Sequence, residues 1–323
     1  MSELLQNSEE IEWIQLLSRK DINEKTEQIA QMFFNKSKPS MDLDCDPVVF
    51  VEQLYSNFDS SDIFEWSTIA LMHQDIYTQH DLIALLRQRW YTFDYFTHFL
   101  KRAYHFADSN NYTKLAEMLW YNYMDETGEK PKDSFDTENF LTLYPKAEDE
   151  RKNLPHQVLR YHAKMGYEKA YADRLEKNNT VEPANQSSHS FDKINAGTML
   201  FNKITQKLLG DNTLNGDLRI LGAVLFLEKI VPLEMENIIK TRKRLFPDLP
   251  ERATFYEEYH QQHDTDMHFP ALVEGIIEAK FNQIPWAIQQ INVGWHMMQQ
   301  AKEMLYFWHS TEQEVEKIKR FIQ

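Results

Sequence analysis

The ten residues AVLFLEKIVP, 223–232, place the carboxylate Glu228 inside a run in which only Glu228 and Lys229 are charged. Residues at helical spacing around it form one apolar stripe: Leu221, Val224, Leu225, Val231 and Met235. A stripe of this period predicts a core-facing helix, here from Gly216 to Leu245. A carboxylate on that stripe must be protonated, paired with a cation or bound to a metal, because an isolated buried charge costs too much.

Helical periodicity continues outward from this stretch in both directions. The 323 residues include only 8 glycines and 11 prolines, which favours long helices and few turns. Further helices are predicted at 62–73, 81–108, 111–126, 155–177, 191–209 and 250–281, and from 285 to about 322 with a break near 310. Pro232 and Pro270 are predicted kinks. The sequence thus predicts an all-α helical bundle.

The predicted bundle covers residues 61–323, and residues 1–60 are predicted to form an N-terminal helical extension of short segments. The stretch NNTVEPANQSSHS, 178–190, has the composition of a linker. It separates either two halves of one bundle or two domains, and the sequence leaves both arrangements open.

Charge and composition exclude several classes of partner. A net charge of −15 repels phosphate, so nucleic acid and anionic membrane surfaces are not expected partners. No apolar run reaches the roughly 18 residues of a membrane span, and the acidic amino terminus lacks a signal-peptide core. Cys45 is the only cysteine, which rules out an internal disulfide. These features predict a cytoplasmic protein.

Two more segments place metal-binding side chains on helix faces. Glu126 continues the stripe of Leu115, Leu119 and Asn122. In HQQHDTDMH, 260–268, a step of about 100° per residue puts His260, Asp264 and His268 on one helix face, with His263 at its edge. Two imidazoles and a carboxylate suit a divalent first-row metal, and Glu126 and Glu228 are the candidates for the remaining ligands.

Each of these residues also has a simpler interpretation. Glu126 lies near a predicted helix end, where water could solvate it, and Glu228 could pair with Arg219 or with a lysine from another helix. With 12 histidines in the chain, the cluster at 260–268 could arise by chance. The aromatic residues next to the candidate ligands are expected to pack in the core or line the pocket: Trp120, Tyr121, Tyr123, Tyr256 and Tyr259.

Four short motifs together resemble the haem-oxygenase-like di-iron oxidases. They are LAEMLWYNYMDETG at 115–128, PHQVLRYHAKMGYE at 155–168, Glu228 followed by Pro232, and His260 followed by Asp264. The resemblance spans roughly residues 80–280 and implies a haem-oxygenase-like bundle. Its implied metal ligands are Glu126, His156, Glu228, His260, Asp264 and His268. His268 stands one residue later than the family spacing, so either a helix bulge brings it inward or the second metal position is weakened; His263 is the alternative ligand.

The resemblance implies a non-haem di-iron oxidase or oxygenase that uses O2 to oxidise a small amino-acid, amine or fatty-acid-like substrate. It implies two iron ions, with manganese as the alternative metal, and leaves room for an electron donor and for a homodimer. It names no catalytic residue beyond the ligands.

Three other functions remain open from the sequence. One is a metal-free enzyme on the same bundle, of the thiaminase-like or cofactor-maturation type, although Cys45 lies far from the helical motifs in sequence. The others are a non-enzymatic helical interaction protein and a haem protein with a single axial histidine.

Overall fold

A computed structural model describes Met72 and residues 77–90, 92, 94–128, 155–177, 196–263, 268–281 and 284–305. The predicted extension at 1–60, the linker at 178–190, Cys45 and the predicted helix end beyond 305 lie outside the described residues, as does all of the predicted helix 62–73 except Met72.

The described residues confirm the all-α fold class, and none of them lies in a β-strand. The helices are α1 Gln79–Trp90, α2 Asp94–Ser109, α3 Thr113–Thr127, α4 His156–Lys177, α5 Ala196–Gly210, α6 Leu214–Leu245, α7 Glu251–His263, α8 Phe269–Glu278 and α9 Pro285–Leu305. In this part of the chain, no helix is both long and apolar enough to cross a bilayer.

Helix α6 is the centre of the bundle. It begins after Thr213, whose hydroxyl accepts a hydrogen bond from Gly216 N at 3.2 Å, and it continues through Pro232. It packs against α1, α2, α5, α7, α8 and α9. Because neighbours surround it, carboxylates on several of its faces are buried, and both Glu228 and Glu234 are less than 5% exposed.

Two glycines let α6 and α9 approach very closely. A Cβ atom added at Gly222 would lie 1.8 Å from Ile291 O, and one at Gly294 would lie 1.8 Å from Arg219 O. Those separations are well inside van der Waals contact, so the packing requires glycine at both positions. Farther along the same pair of helices, Lys302 of α9 binds Glu234 of α6.

One hydrophobic core includes residues from both sides of the undescribed stretch 178–195. Leu159 and Tyr167 of α4 belong to the same buried cluster as Leu200 and Ile204 of α5. Within the described residues, the two sides of the predicted linker therefore share one core.

Two of the predicted helices are interrupted. The predicted helix 81–108 is two helices, α1 and α2, separated by a turn in which Thr92 N and Thr92 Oγ1 both donate to Arg89 O. The predicted helix 250–281 is α7 and α8, and Pro270 lies in the first turn of α8. Proline suits a first turn because that turn leaves backbone N–H groups without helical partners. Residues 264–267, where a kink before Pro270 would show, lie outside the described residues, so that kink stays a prediction.

The end of α3 and the start of α4 meet at Gly128. This glycine follows α3 in a left-handed conformation, with φ 73°, and its N–H bonds to Met124 O. A Cβ atom there would lie 2.5 Å from Cγ of Pro155, the residue before α4. The contact brings Glu126, near the end of α3, beside His156 at the start of α4.

Candidate metal centre

Three buried side chains from three helices converge on one point. Glu126 of α3, His156 of α4 and His260 of α7 each offer a ligand atom, and these atoms lie within 4.8 Å of one another. His156 Nδ1 is 3.0 Å from Glu126 Oε1, and the two imidazole rings are 4.4 Å apart between centroids. Each residue is at most 3% exposed. A carboxylate and two imidazoles at this spacing form a donor set for a divalent first-row metal.

Glu126 supports this interpretation through its second oxygen. Oε2 is buried, and no described residue lies within hydrogen-bonding distance of it. Buried polar atoms normally have a partner, because leaving one without costs the desolvation energy of that atom. A metal ion bound to this oxygen would satisfy it.

A second glutamate–histidine pair lies in the same part of the bundle. His268 Nδ1 is 3.1 Å from Glu228 Oε2, and both residues are buried. Asn122 of α3 donates from Nδ2 to the other oxygen, Glu228 Oε1, at 3.0 Å. Asn122 and Glu126 lie one turn apart on the predicted stripe of α3. Asn122 contacts the Glu228–His268 pair, whereas Glu126 belongs to the group with His156 and His260.

Asp125 lies between the two groups and was missed by the sequence analysis. Its Oδ2 is 3.9 Å from Nε2 of His156 and 3.6 Å from Nε2 of His268. The hydroxyl of Tyr259 donates to the same oxygen at 3.4 Å. The one available signal was its position beside Glu126 in the MDETG motif. That signal was weak, because consecutive residues on a helix point about 100° apart and are not expected on the same face.

His268 reaches the site from directly before α8. Helix α7 is described as far as His263, and His268 has π-helical backbone next to Phe269, the first residue of α8. Residues 264–267 lie outside the described residues, so the single helix face predicted for 260–268 stays a prediction, while the π-helical backbone at His268 agrees with the bulge required by its spacing. Asp264 lies outside the described residues, and the side chain of His263 is not described.

Tyrosine rings surround the candidate histidines. Tyr121 contacts His268, Tyr259 contacts His156 and Tyr256 contacts His260, each in an edge-on arrangement with centroids 4.5 to 5.8 Å apart. Trp120 and Tyr123 contact each other instead, with centroids 5.4 Å apart. These aromatic rings pack around the imidazoles and restrict their orientation.

The site forms part of the wall of a pocket that contains about 580 Å³ of empty space, some of it open to solvent. Glu126, Glu228, His260 and His268 all line it. The rest of the lining is mostly apolar or aromatic: Thr92, Tyr95, Phe96, Phe99, Phe201, Leu227 and Val231, together with the two cations Arg89 and Lys302. A mostly apolar pocket with a few converging polar groups is typical of a small-molecule site.

The two cations share one carboxylate. Arg89 of α1 binds Glu234 Oε2 at 2.9 Å, and Lys302 Nζ of α9 binds Glu234 Oε1 and Oε2 at 3.0 and 3.1 Å. All three side chains are at most 7% exposed. Burial lowers the pKa of Lys302, Glu234 raises it, and the nearby charge of Arg89 lowers it further.

Glu257 of α7 is another buried carboxylate nearby. Burial raises its pKa from 4.5 to about 7, an effect that outweighs the hydrogen bond from Tyr167 and the charge of Arg242, whose Nε lies 3.4 Å from Glu257 Oε2. Arg242 also binds Glu258 at 2.9 Å. Near neutral pH, Glu257 is therefore partly protonated.

The structure does not favour the simpler interpretation of Glu228 as the partner of Arg219. Arg219 precedes Glu228 by nine residues on α6, which is about 14 Å along the helix axis. Its guanidinium instead binds Gln290 Oε1 at 2.8 Å and Asp211 Oδ2 at 3.3 Å. Glu126 is 3% exposed, so it is not the solvated helix-end residue of the other simple interpretation.

Comparison with known proteins supports the helical fold but assigns no family and no activity. No protein-family model matches the chain, and no curated protein matches it. A similar solved structure is that of a CADD-like protein of unknown function from Nostoc punctiforme PCC 73102, with a TM-score of 0.52 and 16% sequence identity. The match covers 81% of this chain and 96% of that one. The likeness extends over nearly the whole of that helical chain.

Proposed function

We propose that this chain binds two iron ions and is an O2-dependent oxidase or oxygenase acting on a small molecule. The observation that carries the proposal is the convergence of Glu126, His156 and His260 to within 4.8 Å, next to the second pair of Glu228 and His268. Helical bundles build di-iron sites from inward glutamate and histidine side chains of this kind.

The donor residues divide into two sets. Glu126, His156 and His260 would hold one metal ion. Glu228 and His268 would hold the other, together with Asp264 as the sequence predicts. When bound, a ferrous pair supplies the electrons for the reduction of O2. Manganese remains the alternative metal, since carboxylate and imidazole ligands also suit it.

Neighbouring residues position the donors. Asn122 fixes one oxygen of Glu228, and Tyr259 donates to Asp125. Such outer contacts set the orientation of ligands and affect metal affinity. The pocket wall beside the donors is mostly apolar, which suits a small organic substrate.

Metal content is the first test. Protein prepared without metal is titrated with Fe(II) under anaerobic conditions, bound iron is counted per chain, and the sample is then exposed to O2. The wild-type chain is expected to bind two irons and to consume O2. His260→Ala and Glu228→Gln are each expected to lose at least one iron while the far-ultraviolet circular dichroism stays helical.

His98→Ala is the matched control, because His98 is an exposed histidine on α2. It should keep both irons. Full iron content in both site variants would contradict the proposal, and a Soret band in the purified protein would show haem binding instead. To identify the last histidine ligand, His268→Ala should bind one iron fewer while His263→Ala binds two; the reverse result would assign His263.

A further inference from the structure

A second cavity lies beside the pocket that contains the candidate metal centre. It contains about 330 Å³ of empty space, some of it open to solvent, and its walls come from α1, α4, α6 and α7. Water can occupy a cavity of this kind, because it has both room and polar groups. The charged and hydroxyl-bearing residues of its wall are Arg89, Arg160, Tyr167, Tyr256 and Glu257.

Two residues of this cavity also border the metal centre. Arg89 lines both the cavity and the metal pocket, so its side chain lies between them. Tyr256 lines the cavity, and its ring packs edge-on against that of His260, with centroids 4.5 Å apart. The cavity therefore adjoins the metal centre.

The cavity also has residues near the protein surface. Arg160 and Trp90 line it and are only partly buried, and the guanidinium of Arg160 donates to Trp90 O. Tyr167 and Glu257, which line it too, are at most 2% exposed. The cavity thus connects a partly exposed entrance with a deeply buried carboxyl group.

Among the described residues that line the cavity, Glu257 is the only acid. Its Oε1 accepts a hydrogen bond from the hydroxyl of Tyr167. Its Oε2 is buried and accepts no hydrogen bond from the described residues, although Arg242 Nε lies 3.4 Å away. Buried polar atoms normally have a hydrogen-bond partner, and a water molecule in the cavity would supply one for Oε2.

Charged and titratable groups reach Glu257 from each helix packed against it. Tyr167 faces it from α4, Arg242 from α6 and Arg89 from α1, while Glu258 follows it on α7. Burial raises the pKa of Glu257 to about 7, Glu258 raises it as well, and Tyr167 and the two arginines only partly oppose this. A group with such a pKa both holds and releases a proton near neutral pH.

Reduction of O2 requires protons as well as electrons. O2 takes up two electrons and two protons to give hydrogen peroxide, and two more of each to give two molecules of water. In the proposed function, the ferrous pair supplies electrons. The wall of the metal pocket is mostly apolar, so the protons need a polar route from solvent.

We infer that the second cavity is the proton entrance of the metal centre and that Glu257 is its proton-relay residue. The O–H bond of the Glu257 carboxyl group breaks, and its proton passes through cavity water beside Arg89 into the metal pocket. The carboxylate then takes a proton from water that enters between Arg160 and Trp90. No electron moves in either transfer. The inference rests on the proposed function, because it assigns the proton source of the same site.

The first test follows the oxidation of bound iron. Full-length protein loaded with Fe(II) is mixed with O2, and the rate of iron oxidation is measured between about pH 6.5 and 8.5, with iron content verified at each pH. Protonated Glu257 is lost as pH rises through 7, so the wild-type rate should fall about tenfold or more across this range. Glu257→Gln carries no exchangeable carboxyl proton. It should be at least about tenfold slower at the acidic end and show no dependence on pH.

A second readout needs neither iron nor O2. Infrared difference spectra of metal-free protein follow the C=O band of protonated carboxyl groups as the pH changes. A band that disappears with a midpoint near pH 7 is expected in wild-type protein and not in Glu257→Gln. This midpoint should coincide with that of the wild-type oxidation rate. If Glu257→Gln does not fold, the agreement of the two wild-type midpoints decides.

Glu251→Gln is the matched control, because Glu251 is an exposed glutamate on the same helix α7. It should keep the wild-type oxidation rate, the pH profile and the infrared band. Circular dichroism verifies the fold of each variant.

Two results would overturn the inference and leave the di-iron proposal intact. One is an oxidation rate and pH profile in Glu257→Gln equal to those of wild-type protein at equal iron content. The other is a wild-type rate that stays constant while the infrared band titrates near pH 7. A chain that binds no iron contradicts the proposed function, and the inference then fails with it even where Glu257 titrates as expected.

Discussion

Two glutamates on α6 are equally buried and have opposite surroundings. Glu228 and Glu234 are 3% and 2% exposed, and they are separated by less than two helical turns. Glu228 contacts the imidazole of His268 and the amide of Asn122. Glu234 contacts a guanidinium and an ammonium group.

This difference indicates what each carboxylate does. Glu234 is paired with a guanidinium and an ammonium group, so its charge is balanced without any ligand. An imidazole and an amide contact Glu228 instead, and they orient it as they would orient a metal ligand. From the sequence, only Glu228 stood out as an acid on the apolar stripe, and Glu234 carried no signal of its own.

Matched isosteric variants should show the largest difference between these two glutamates. Glu234→Gln leaves two buried cations without their carboxylate and should lower the free energy of unfolding by about 3–5 kcal/mol. Glu228→Gln keeps an oxygen for its neighbours and should change it by less than about 1.5 kcal/mol. Urea denaturation of metal-free protein at pH 8, where histidine is neutral, measures both.

The comparison fails if Glu228→Gln is as destabilising as Glu234→Gln in the absence of metal. That result would make Glu228 a structural carboxylate. Added Fe(II) sharpens the contrast. It should raise the stability of wild-type protein and of any Glu234→Gln protein that folds. It should raise the stability of Glu228→Gln by less, because that variant lacks a metal ligand.

Glu257 adds a third kind of buried carboxylate, one that takes up a proton. Its folded pKa of about 7 lies above the ordinary 4.5, so between these pH values the folded protein binds more protons than the unfolded chain. Its contribution to stability is therefore largest at acidic pH and is lost as pH rises through 7. Relative to Glu257→Gln, wild-type protein should lose on the order of 3 kcal/mol between pH 4.5 and 8.

Denaturation of the wild-type protein and of Glu257→Gln between pH 4.5 and 8 measures this difference in stability. In the variant, Arg242 still has Glu258 as a partner. Parallel pH profiles for the two proteins would show that Glu257 titrates normally in the fold.

The helices were predictable where an apolar stripe repeats without interruption. The helix predicted at Gly216–Leu245 is α6, Leu214–Leu245. The helix predicted at 155–177 is α4, His156–Lys177. The turn at Thr92 was not predictable, because no glycine or proline lies near it and helical spacing continues across it. Tertiary packing, which periodicity does not report, overrides helical propensity at such a turn.

The candidate site was predictable only in part, for a similar reason. Buried acids and clustered histidines stand out in a sequence, and the structure brings five of the six predicted ligands into two neighbouring groups; the sixth, Asp264, lies outside the described residues. The pairing of Glu234 with Arg89 and Lys302 joins residues 145 and 68 positions apart, and nothing local marks it. Asp125 was missed because its face of α3 could not be assigned without α4 and α8.

A smaller effect is expected from the amide that holds Glu228. Asn122→Ala removes the donor to Glu228 Oε1 but leaves the carboxylate and His268 in place. Loss of an outer contact to a metal ligand typically lowers affinity about 10- to 100-fold. We expect that loss at one of the two iron sites in an Fe(II) titration, with iron content unchanged at saturating metal. Equal weakening of both sites would mean that Asn122 supports the bundle rather than Glu228.

The smallest effect concerns Tyr259 and distinguishes two roles for Asp125. Tyr259→Phe removes one hydroxyl, whose hydrogen bond to Asp125 is long at 3.4 Å, so iron affinity should fall only about two- to fivefold. Tyr256→Phe removes a hydroxyl beside His260 and serves as the control, with affinity expected to stay within twofold of wild type. Asp125→Asn then gives the answer: loss of one iron per chain would make Asp125 a ligand, whereas two irons bound more weakly would make it a residue that orients His156 and His268. The distances of 3.9 and 3.6 Å from Asp125 Oδ2 to those imidazoles exceed a direct hydrogen bond but fall within the 4.8 Å spread of the Glu126, His156 and His260 ligand atoms, so they are compatible with either role and the iron count decides.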